Sequence, residues 1–418
     1  MRIARWMVLA VLVCTPPAWA ATPEETARAL QAVVEGARAS DSDRLLIVRD
    51  GQRLADYRKP GTPAAGAPGD AIETMSVTKS LVALGVGRLL TLGRIASLDQ
   101  PVSDFYPEWK QGRKAEITVR MLLNHTSGLQ NVANTSVEIY PAPDGLKLAL
   151  AAELSDAPGA AFSYNNKAMN LLAGVIEQAC GLRMDHCLEQ QLLAPMGIAG
   201  PAWNSDGFDR AGHPYAMAGW SASAETAAKI GQLVLDHGRW NGQPLIDAGY
   251  IEQMTAQSQP YNRGYGLLWW RRPARDVLTI DSGALARYRD AGVDAALLQR
   301  LQPLAGRAFD DGASLRTALR EALGEDLAAL GKSATAHGLT LDGLVGKDDS
   351  SPIVAWEANG YLGQYIVVVP KARLVAVRQV RARDDYDGQA PWPHGYDDFT
   401  RRVIALAQTL VPDLDAAR

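Results

Sequence analysis

The stretch Ser76-Val77-Thr78-Lys79 opens a run of apolar residues that is typical of a buried helix. Side chains three positions apart share one face of a helix, so the hydroxyl of Ser76 and the amine of Lys79 are expected to lie side by side. A serine hydroxyl is a poor nucleophile until a neighbouring base takes its proton, and a desolvated, neutral lysine can be that base. The spacing therefore predicts an activated nucleophile.

The first twenty residues have the layout of a secretory signal peptide. Arg2 and Arg5 precede an apolar run over residues 7–13, and the small-residue pattern Ala18-Trp19-Ala20 follows. We expect the mature chain to begin near Ala21 and the protein to be periplasmic or secreted. No later segment has the roughly 20 continuous apolar residues of a membrane span.

Composition narrows the classes of function. The 418-residue chain has 42 basic and 46 acidic side chains and a net charge of −4 at pH 7, which argues against nucleic acid as a partner. The six histidines are scattered without an H-E-x-x-H motif or a Cys/His cluster, so we expect neither a metal nor another cofactor. A hydrophobic content of 47% allows an ample core, which we expect in two lobes.

Cys180 and Cys187 flank the segment Gly181-Leu182-Arg183, which breaks two helical patterns. Their Cα atoms could come within bridging distance, and a disulfide would fit an exported protein. The alternative is a pair of small buried residues in neighbouring helices. Neither interpretation makes the cysteines catalytic.

Strand-like segments lie at the two ends of the chain, and helical patterns lie between them. Asp50-Gly51 is a hairpin signal between two β-rich runs, and pairing these with three runs near the C-terminus would make one antiparallel sheet. An amphipathic helix over residues 396–410 would cover one face. We therefore predict an α+β fold over residues 21–418, with a helical lobe at about residues 85–235. The predicted strands are 44–48, 52–57, 353–359, 365–369 and 374–380, and the main helices are 76–90, 119–124, 166–179 and 224–235.

Residues 272–352 differ from the rest, since they contain none of the chain's ten tryptophans. Their leucines form helical stripes, such as Leu315, Leu319 and Leu323. We predict a helical insertion ahead of the last strands. The insertion is either a lid over a site or an extension of the helical lobe.

His125 is the one histidine whose surroundings could suggest catalysis. It follows a short predicted helix and stands just ahead of Gly128. That place favours a structural cap over the base of a catalytic triad.

The order of three motifs resembles the serine β-lactamase and DD-peptidase superfamily, in particular its class C β-lactamase-like esterases and peptidases. The motifs are Ser76-Val77-Thr78-Lys79, the segment 117–129 that ends in His125-Thr126-Ser127-Gly128-Leu129, and Tyr164-Asn165-Asn166. The resemblance covers about residues 40–270 and 353–410. It leaves the insertion unexplained.

The resemblance implies a role for each matched residue. Ser76 would form an acyl-enzyme, Lys79 and Tyr164 would share the proton transfers, and Asn166 would hold the substrate and order the lysine. Either Tyr164 is the base, made acidic by the nearby cation, or neutral Lys79 is the base and Tyr164 the acid. Two backbone N–H groups, one of them from Ser76 and the other from the strand after the insertion, would stabilise the oxyanion.

The third motif of the superfamily, K-T-G or H-T-G, is replaced here. The matching segment is Ala358-Asn359-Gly360, which supplies no cation to hold the carboxylate of a β-lactam or a D-Ala-D-Ala peptide. Gly360 would still allow close approach of the backbone. Trp356, Glu357 and Tyr361 are expected to flank the site, which favours a neutral substrate.

These observations predict an exported serine hydrolase that forms an acyl-enzyme on a small ester or amide. One alternative is a β-lactamase or DD-peptidase that acts on β-lactams or cell-wall peptides. An alternative of another class is a catalytically idle binding protein.

Overall fold

A six-stranded antiparallel sheet organises the computed structural model. The structure describes residues 21–132, 134–200, 203–310, 312–348, 350–383 and 398–416, so the predicted signal peptide lies outside it. The strands are Arg44–Arg49 (β1), Gln52–Arg58 (β2), Ile72–Glu73 (β3), Ser221–Ala222 (β4), Arg239–Trp240 (β5), Gln243–Pro244 (β6), Trp270–Pro273 (β7), Val277–Ile280 (β8), Ala308–Phe309 (β9), Val345–Asp348 (β10), Ile353–Gly360 (β11), Gln364–Val369 (β12) and Leu374–Gln379 (β13).

Fourteen α-helices lie in the described part of the chain. They are Pro23–Ala39 (α1), Val77–Thr91 (α2), Val119–Leu123 (α3), Thr135–Glu138 (α4), Gly145–Ala151 (α5), Asn166–Cys180 (α6), Met184–Leu188 (α7), Ala224–Leu235 (α8), Ala248–Thr255 (α9), Ser282–Asp290 (α10), Ala295–Leu301 (α11), Gly312–Leu323 (α12), Asp326–Ala336 (α13) and Phe399–Leu410 (α14). None of them is both long and apolar enough to cross a bilayer.

The six-stranded sheet has the order β2-β1-β13-β12-β11-β7 and joins the two ends of the chain, as predicted. Strand β1 pairs with β13 from Arg44↔Gln379 to Arg49↔Leu374, and the hairpin partner β2 forms the outer edge. Helices α2 and α8 pack on one face, where the largest apolar core continues into α6 and α7. Helices α1 and α14 cover the other face over a second core. Burial on both faces explains the long apolar runs of β12 and β13.

Helix α1 was not among the predicted elements. Its start carries a capping box, in which the Thr22 side chain accepts from the Glu25 N–H and Glu25 bonds back to Thr22. Val33 and Ala37 are fully buried on the sheet side. The helix packs beside α14, so the N-terminal and C-terminal helices form one layer.

The segment predicted as a helical insertion contains four helices, α10 to α13, together with a three-stranded sheet of order β10-β8-β9. It has a core of its own that includes Leu285, Leu301 and Leu330, each at most 1% exposed. A cavity of about 630 Å³ separates it from α14, with Arg275, Lys347 and Arg401 in its lining. Strand β7, at the edge of the main sheet, leads into this insertion.

Candidate active site

Ser76 lies at the turn that enters helix α2. Met75 before it has a positive φ of 52°, a conformation that costs a residue with a side chain about 1 kcal/mol or more. Ser76 occupies the N-cap position, yet its side chain caps no backbone N–H of the helix. The hydroxyl therefore stays available for chemistry, next to a residue whose backbone the fold holds in a strained conformation.

Lys79 is 2% exposed and one turn further along α2. Its Nζ lies 2.8 Å from the Ser76 Oγ and 2.9 Å from the carbonyl oxygen of Met217. Burial lowers the pKa of Lys79 to about 7. A substantial fraction of this amine is therefore neutral near pH 7 and can accept the serine proton.

Tyr164 faces the same pair from the start of helix α6. Asn165 caps that helix by accepting from the Ala168 N–H, and Asn131 donates to the Tyr164 carbonyl oxygen at 2.9 Å. The Lys79 Nζ lies 5.1 Å from the centre of the Tyr164 ring. Burial raises the pKa of Tyr164 to about 12, while a hydrogen bond with Ser76 acts in the opposite direction. The phenol is therefore protonated at neutral pH and suited to donate a proton.

His125 lies in the left-handed region just past helix α3, with φ 58°, as a capping residue would. Its Nδ1 accepts from the Asn165 N–H at 3.2 Å, and its ring centre is 4.5 Å from that of Tyr164. Burial, with the nearby charge of Lys79, lowers the pKa of His125 to about 3. The neutral histidine accepts a backbone hydrogen bond next to Tyr164. This contact agrees with the predicted structural role of His125.

Asn166 is the first residue of α6, and its Oδ1 is buried without a hydrogen-bond partner among the described residues. The second hydrogen bond of Lys79 goes to Met217, so the expectation that Asn166 orders the lysine does not match this geometry. Met217 was missed because a backbone carbonyl leaves no signature in the sequence.

The segment Ala358-Asn359-Gly360 ends strand β11 beside the nucleophile. A Cβ on Gly360 would lie 2.4 Å from the Thr74 carbonyl oxygen and 3.2 Å from the Met75 Cβ, so only glycine fits there. The pairing of β11 with β7 stops at Glu357↔Trp270. The backbone of Ala358, Asn359 and Gly360 thus has no strand partner on that side within the described chain.

The side chains of the same segment point elsewhere. Ala358 is fully buried in the apolar core on the α2 face. The Asn359 Nδ2 donates to the Glu357 Oε1 at 3.0 Å, which directs the amide toward the α14 face. Only backbone groups of this segment are therefore placed to meet a substrate.

The expectation that Trp356 and Glu357 flank the site is wrong. Glu357 is 1% exposed on the α14 face, where Arg272 and the Thr400 hydroxyl donate to its carboxylate. Trp356 packs 6.4 Å from the ring of His237, just past helix α8. Strand β11 is largely buried on both faces, so its sequence does not reveal which side chains face which way.

An aromatic wall surrounds Tyr164 and was not predicted. The Trp270 ring stacks on Tyr164 at 6.2 Å and 18°, and the Tyr265 ring meets Trp270 edge-on at 4.7 Å. Phe162 packs against Tyr265 at 5.1 Å. These rings exclude water from the phenol. They contribute to the low polarity that shifts the pKa values of Tyr164 and Lys79.

Cys180 and Cys187 form a disulfide with a Cα separation of 6.2 Å, between α6 and α7. The bridge lies outside the group around Ser76.

One cluster of potential metal ligands lies in the described chain. Asp144, Asp209 and His213 bring their ligand atoms within 4.8 Å of one another. Both Asp209 oxygens already accept backbone N–H groups, from Gly145 and His213, at 2.8 Å each. These two hydrogen bonds explain why the residues lie together: Asp209 links two segments of the chain.

Comparison with known proteins supports the family that the sequence motifs resemble. The Beta-lactamase family model matches residues 27–390. The chain is 26% identical over 231 residues to 6-aminohexanoate-dimer hydrolase of Paenarthrobacter ureafaciens, covering 51% of this chain and 57% of that protein. It is 31% identical over 189 residues to esterase EstB of Burkholderia gladioli, covering 41% and 47%. The chain thus spans about half the length of these relatives.

The fold has counterparts among solved structures. A penicillin-binding protein homologue from Caulobacter crescentus superimposes with a TM-score of 0.54 at 16% identity, covering 92% of this chain and 98% of that one. The predicted α+β fold and the family that the motifs indicated are both confirmed. The chain belongs to the Beta-lactamase family.

Proposed function

We propose that this protein is an exported serine hydrolase that forms an acyl-enzyme at Ser76 on a small, uncharged ester or amide. The observation that carries the proposal is the 2.8 Å contact between the Ser76 Oγ and the Lys79 Nζ, beside a tyrosine that stays protonated. The named activities of two relatives, a dimer hydrolase and an esterase, support the same reaction class.

The pKa directions favour Lys79 as the base over Tyr164. Neutral Lys79 takes the proton of Ser76 while the Oγ attacks the substrate carbonyl. As the intermediate collapses, Tyr164 gives its proton to the leaving alcohol or amine, and the ammonium of Lys79 returns one to Tyr164. Water then reverses the sequence on the acyl-enzyme and releases the acid.

The oxyanion of the intermediate needs donors that are fixed in place beforehand. The N–H of Ser76 and an N–H from the unpaired edge of strand β11, near Gly360, fit this role. Such donors act on the carbonyl oxygen of esters and amides alike, so they do not select between the two.

The preference for an uncharged substrate rests on Ala358. In the motif resemblance Ala358 replaces the cationic residue that would hold a substrate carboxylate, and this buried alanine offers no charge. The rival function, β-lactamase or DD-peptidase, requires such a carboxylate to bind by another route. Export is supported by the disulfide between Cys180 and Cys187, since disulfides persist mainly outside reducing compartments.

The first test is covalent labelling. A fluorophosphonate should add once to the protein by intact mass, and Ser76→Ala should remove the adduct. An adduct that persists in Ser76→Ala would overturn the assignment of the nucleophile. No adduct and no turnover across esters, amides and penicillin would favour the idle binding protein. Rapid turnover of penicillin, with none of the esters or amides hydrolysed, would favour the rival enzyme.

A second test separates the roles of Lys79 and Tyr164. Lys79→Ala should lower kcat by about 10² or more for every substrate. If Tyr164 is the acid, Tyr164→Phe should cost little with a p-nitrophenyl ester, whose leaving group needs no proton, and about 10² with an ethyl ester. An equal loss with both esters would instead make Tyr164 the base.

A further inference from the structure

The position of Tyr164 depends on a neighbour outside the three family motifs. Trp270 stacks on the phenol at 6.2 Å with an interplanar angle of 18°. It belongs to edge strand β7, at the point where pairing with β11 ends. The backbone of Trp270 is held by pairing with Glu357 on one side and by a bridge with Tyr265 on the other, so its further contacts set the orientation of the indole ring.

Arg272 provides one of these contacts. Its guanidinium carbon lies 5.2 Å from the centre of the Trp270 ring, on the same strand and two residues away. A planar cation over an indole face is a favourable and directional contact. The orientation of the indole is therefore linked to the orientation of the guanidinium.

Glu357 in turn fixes the guanidinium. Arg272 donates from both Nε and Nη2 to the two carboxylate oxygens, with the Nε contact at 3.0 Å. Glu357 is 1% exposed, and the Thr400 hydroxyl and the Asn359 amide also donate to it. The carboxylate thus receives donors from three directions and cannot turn without breaking several bonds.

We propose that the Arg272–Glu357 pair is a positioning device for Tyr164, acting through Trp270. The carboxylate of this pair is 1% exposed and the guanidinium side chain 24% exposed, and an ion pair with a buried member contributes little net stability because desolvation offsets much of its attraction. It is an effective way to hold one orientation, because a bidentate pair is geometrically specific. This inference rests on the proposed function, since it assumes that Tyr164 transfers a proton.

Misplacement of a catalytic group by about 1 Å can cost about 10² in rate without loss of binding. Arg272→Lys keeps a cation beside Glu357 but loses the planar face and the second donor. We expect this variant to lower kcat for an ethyl ester about tenfold, with KM within about twofold of the parent. Trp270→Phe should do the same, because the smaller ring gives Tyr164 less support.

The decisive measurement is a double-mutant cycle on kcat. If Arg272 acts through Trp270, the double variant should be no slower than the slower single variant, since the second change removes nothing further. Multiplied losses in the double variant would overturn the proposal. So would parent kinetics in Arg272→Lys. If Arg272→Lys does not fold, Trp270→Phe must still show the kcat loss at unchanged KM, and its absence overturns the proposal.

Arg373→Lys is the matched control. Arg373 is an arginine paired to two carboxylates, Asp50 and Asp236, at the end of the sheet away from Ser76. It should keep parent kinetics. Fluorophosphonate labelling of Ser76 in the parent tests the proposed function separately, so labelling combined with a failed cycle would reject only the positioning role.

Discussion

Lys79 and Ser76 are linked by a 2.8 Å contact between Nζ and Oγ in a place where the lysine is 2% exposed. Desolvation there favours the neutral amine, and the hydroxyl is the group to which that amine is closest. The contact therefore ties the reactivity of the serine to the protonation state of a single buried group.

The pH dependence of kcat/KM should report that group. Burial lowers the pKa of Lys79 to about 7, and the neutral form is the base, so activity should rise with pH through about 7. Tyr164, with a pKa of about 12, should keep its proton throughout a titration from about pH 5 to 9. A profile that is flat or falls over this range would contradict Lys79 as the base.

Lys79→Met should stabilise the fold, and by an amount that depends on pH. The folded-state pKa of about 7 lies below the ordinary value of 10.5, so the unfolded chain binds an extra proton between these limits. The cost of burying Lys79 is complete below about pH 7 and shrinks as pH rises toward 10.5.

We therefore expect the gain in free energy of unfolding from Lys79→Met to be larger at pH 6 than at pH 9.5, by about 3 kcal/mol. Urea titrations of both proteins at both pH values measure it. A gain that is equal at the two pH values, or larger at pH 9.5, would contradict a depressed pKa. Lys229→Met, at a partly exposed lysine of helix α8, controls for the loss of a positive charge.

Cys180 and Cys187 should be bridged in protein recovered from an oxidising compartment. The two residues are separated by 7 positions, so the bridge closes a short loop and should contribute about 2 to 3 kcal/mol. Alkylation of denatured protein without reductant, followed by peptide mapping, detects free thiols. Modification of both cysteines would refute the bridge, and the double Cys→Ala variant measures its contribution.

Removal of the insertion tests whether it is a lid. Val277 pairs with Asp348, so a short Gly/Ser linker can replace residues 277–348, and the lost segment takes its own core with it. The shortened protein should fold and react with a small ester. Because strand β7 carries both the insertion and Trp270, its preference among larger acyl or alcohol groups should change. Unchanged kcat/KM values across esters with different acyl and alcohol groups would show that the insertion does not act as a lid and only extends the helical lobe.

Local patterns predicted most of the sheet and its packing helices. Helix α8 has the predicted bounds, α6 extends one residue further at its C-terminal end, and α2 is shifted by one residue at both ends. The agreement follows from the regular apolar spacing of these helices. Helix α1 was missed although its capping box stands in the sequence, since its apolar face is narrow. The insertion strands were missed because short strands carry weak signals beside strong leucine stripes.

The candidate site was predictable only where its residues belong to motifs. Ser76, Lys79 and Tyr164 come together because each motif has fixed local spacing. Met217 and Trp270 reach them through tertiary folding, and no pattern within their own segments indicates this. The sequence left the choice of base open, because the pKa values depend on burial that only the packed structure defines.

The pairing of β1 with β13 has a consequence for the order of events during synthesis. A growing chain contains the serine motif long before it contains β11, whose Gly360 backs the turn before Ser76. Contacts between distant parts of a chain form late and slowly. A chain stalled ahead of β11 would carry every side chain of the proposed proton relay and still be inert, so hydrolysis begins only after β11 has been made and has paired.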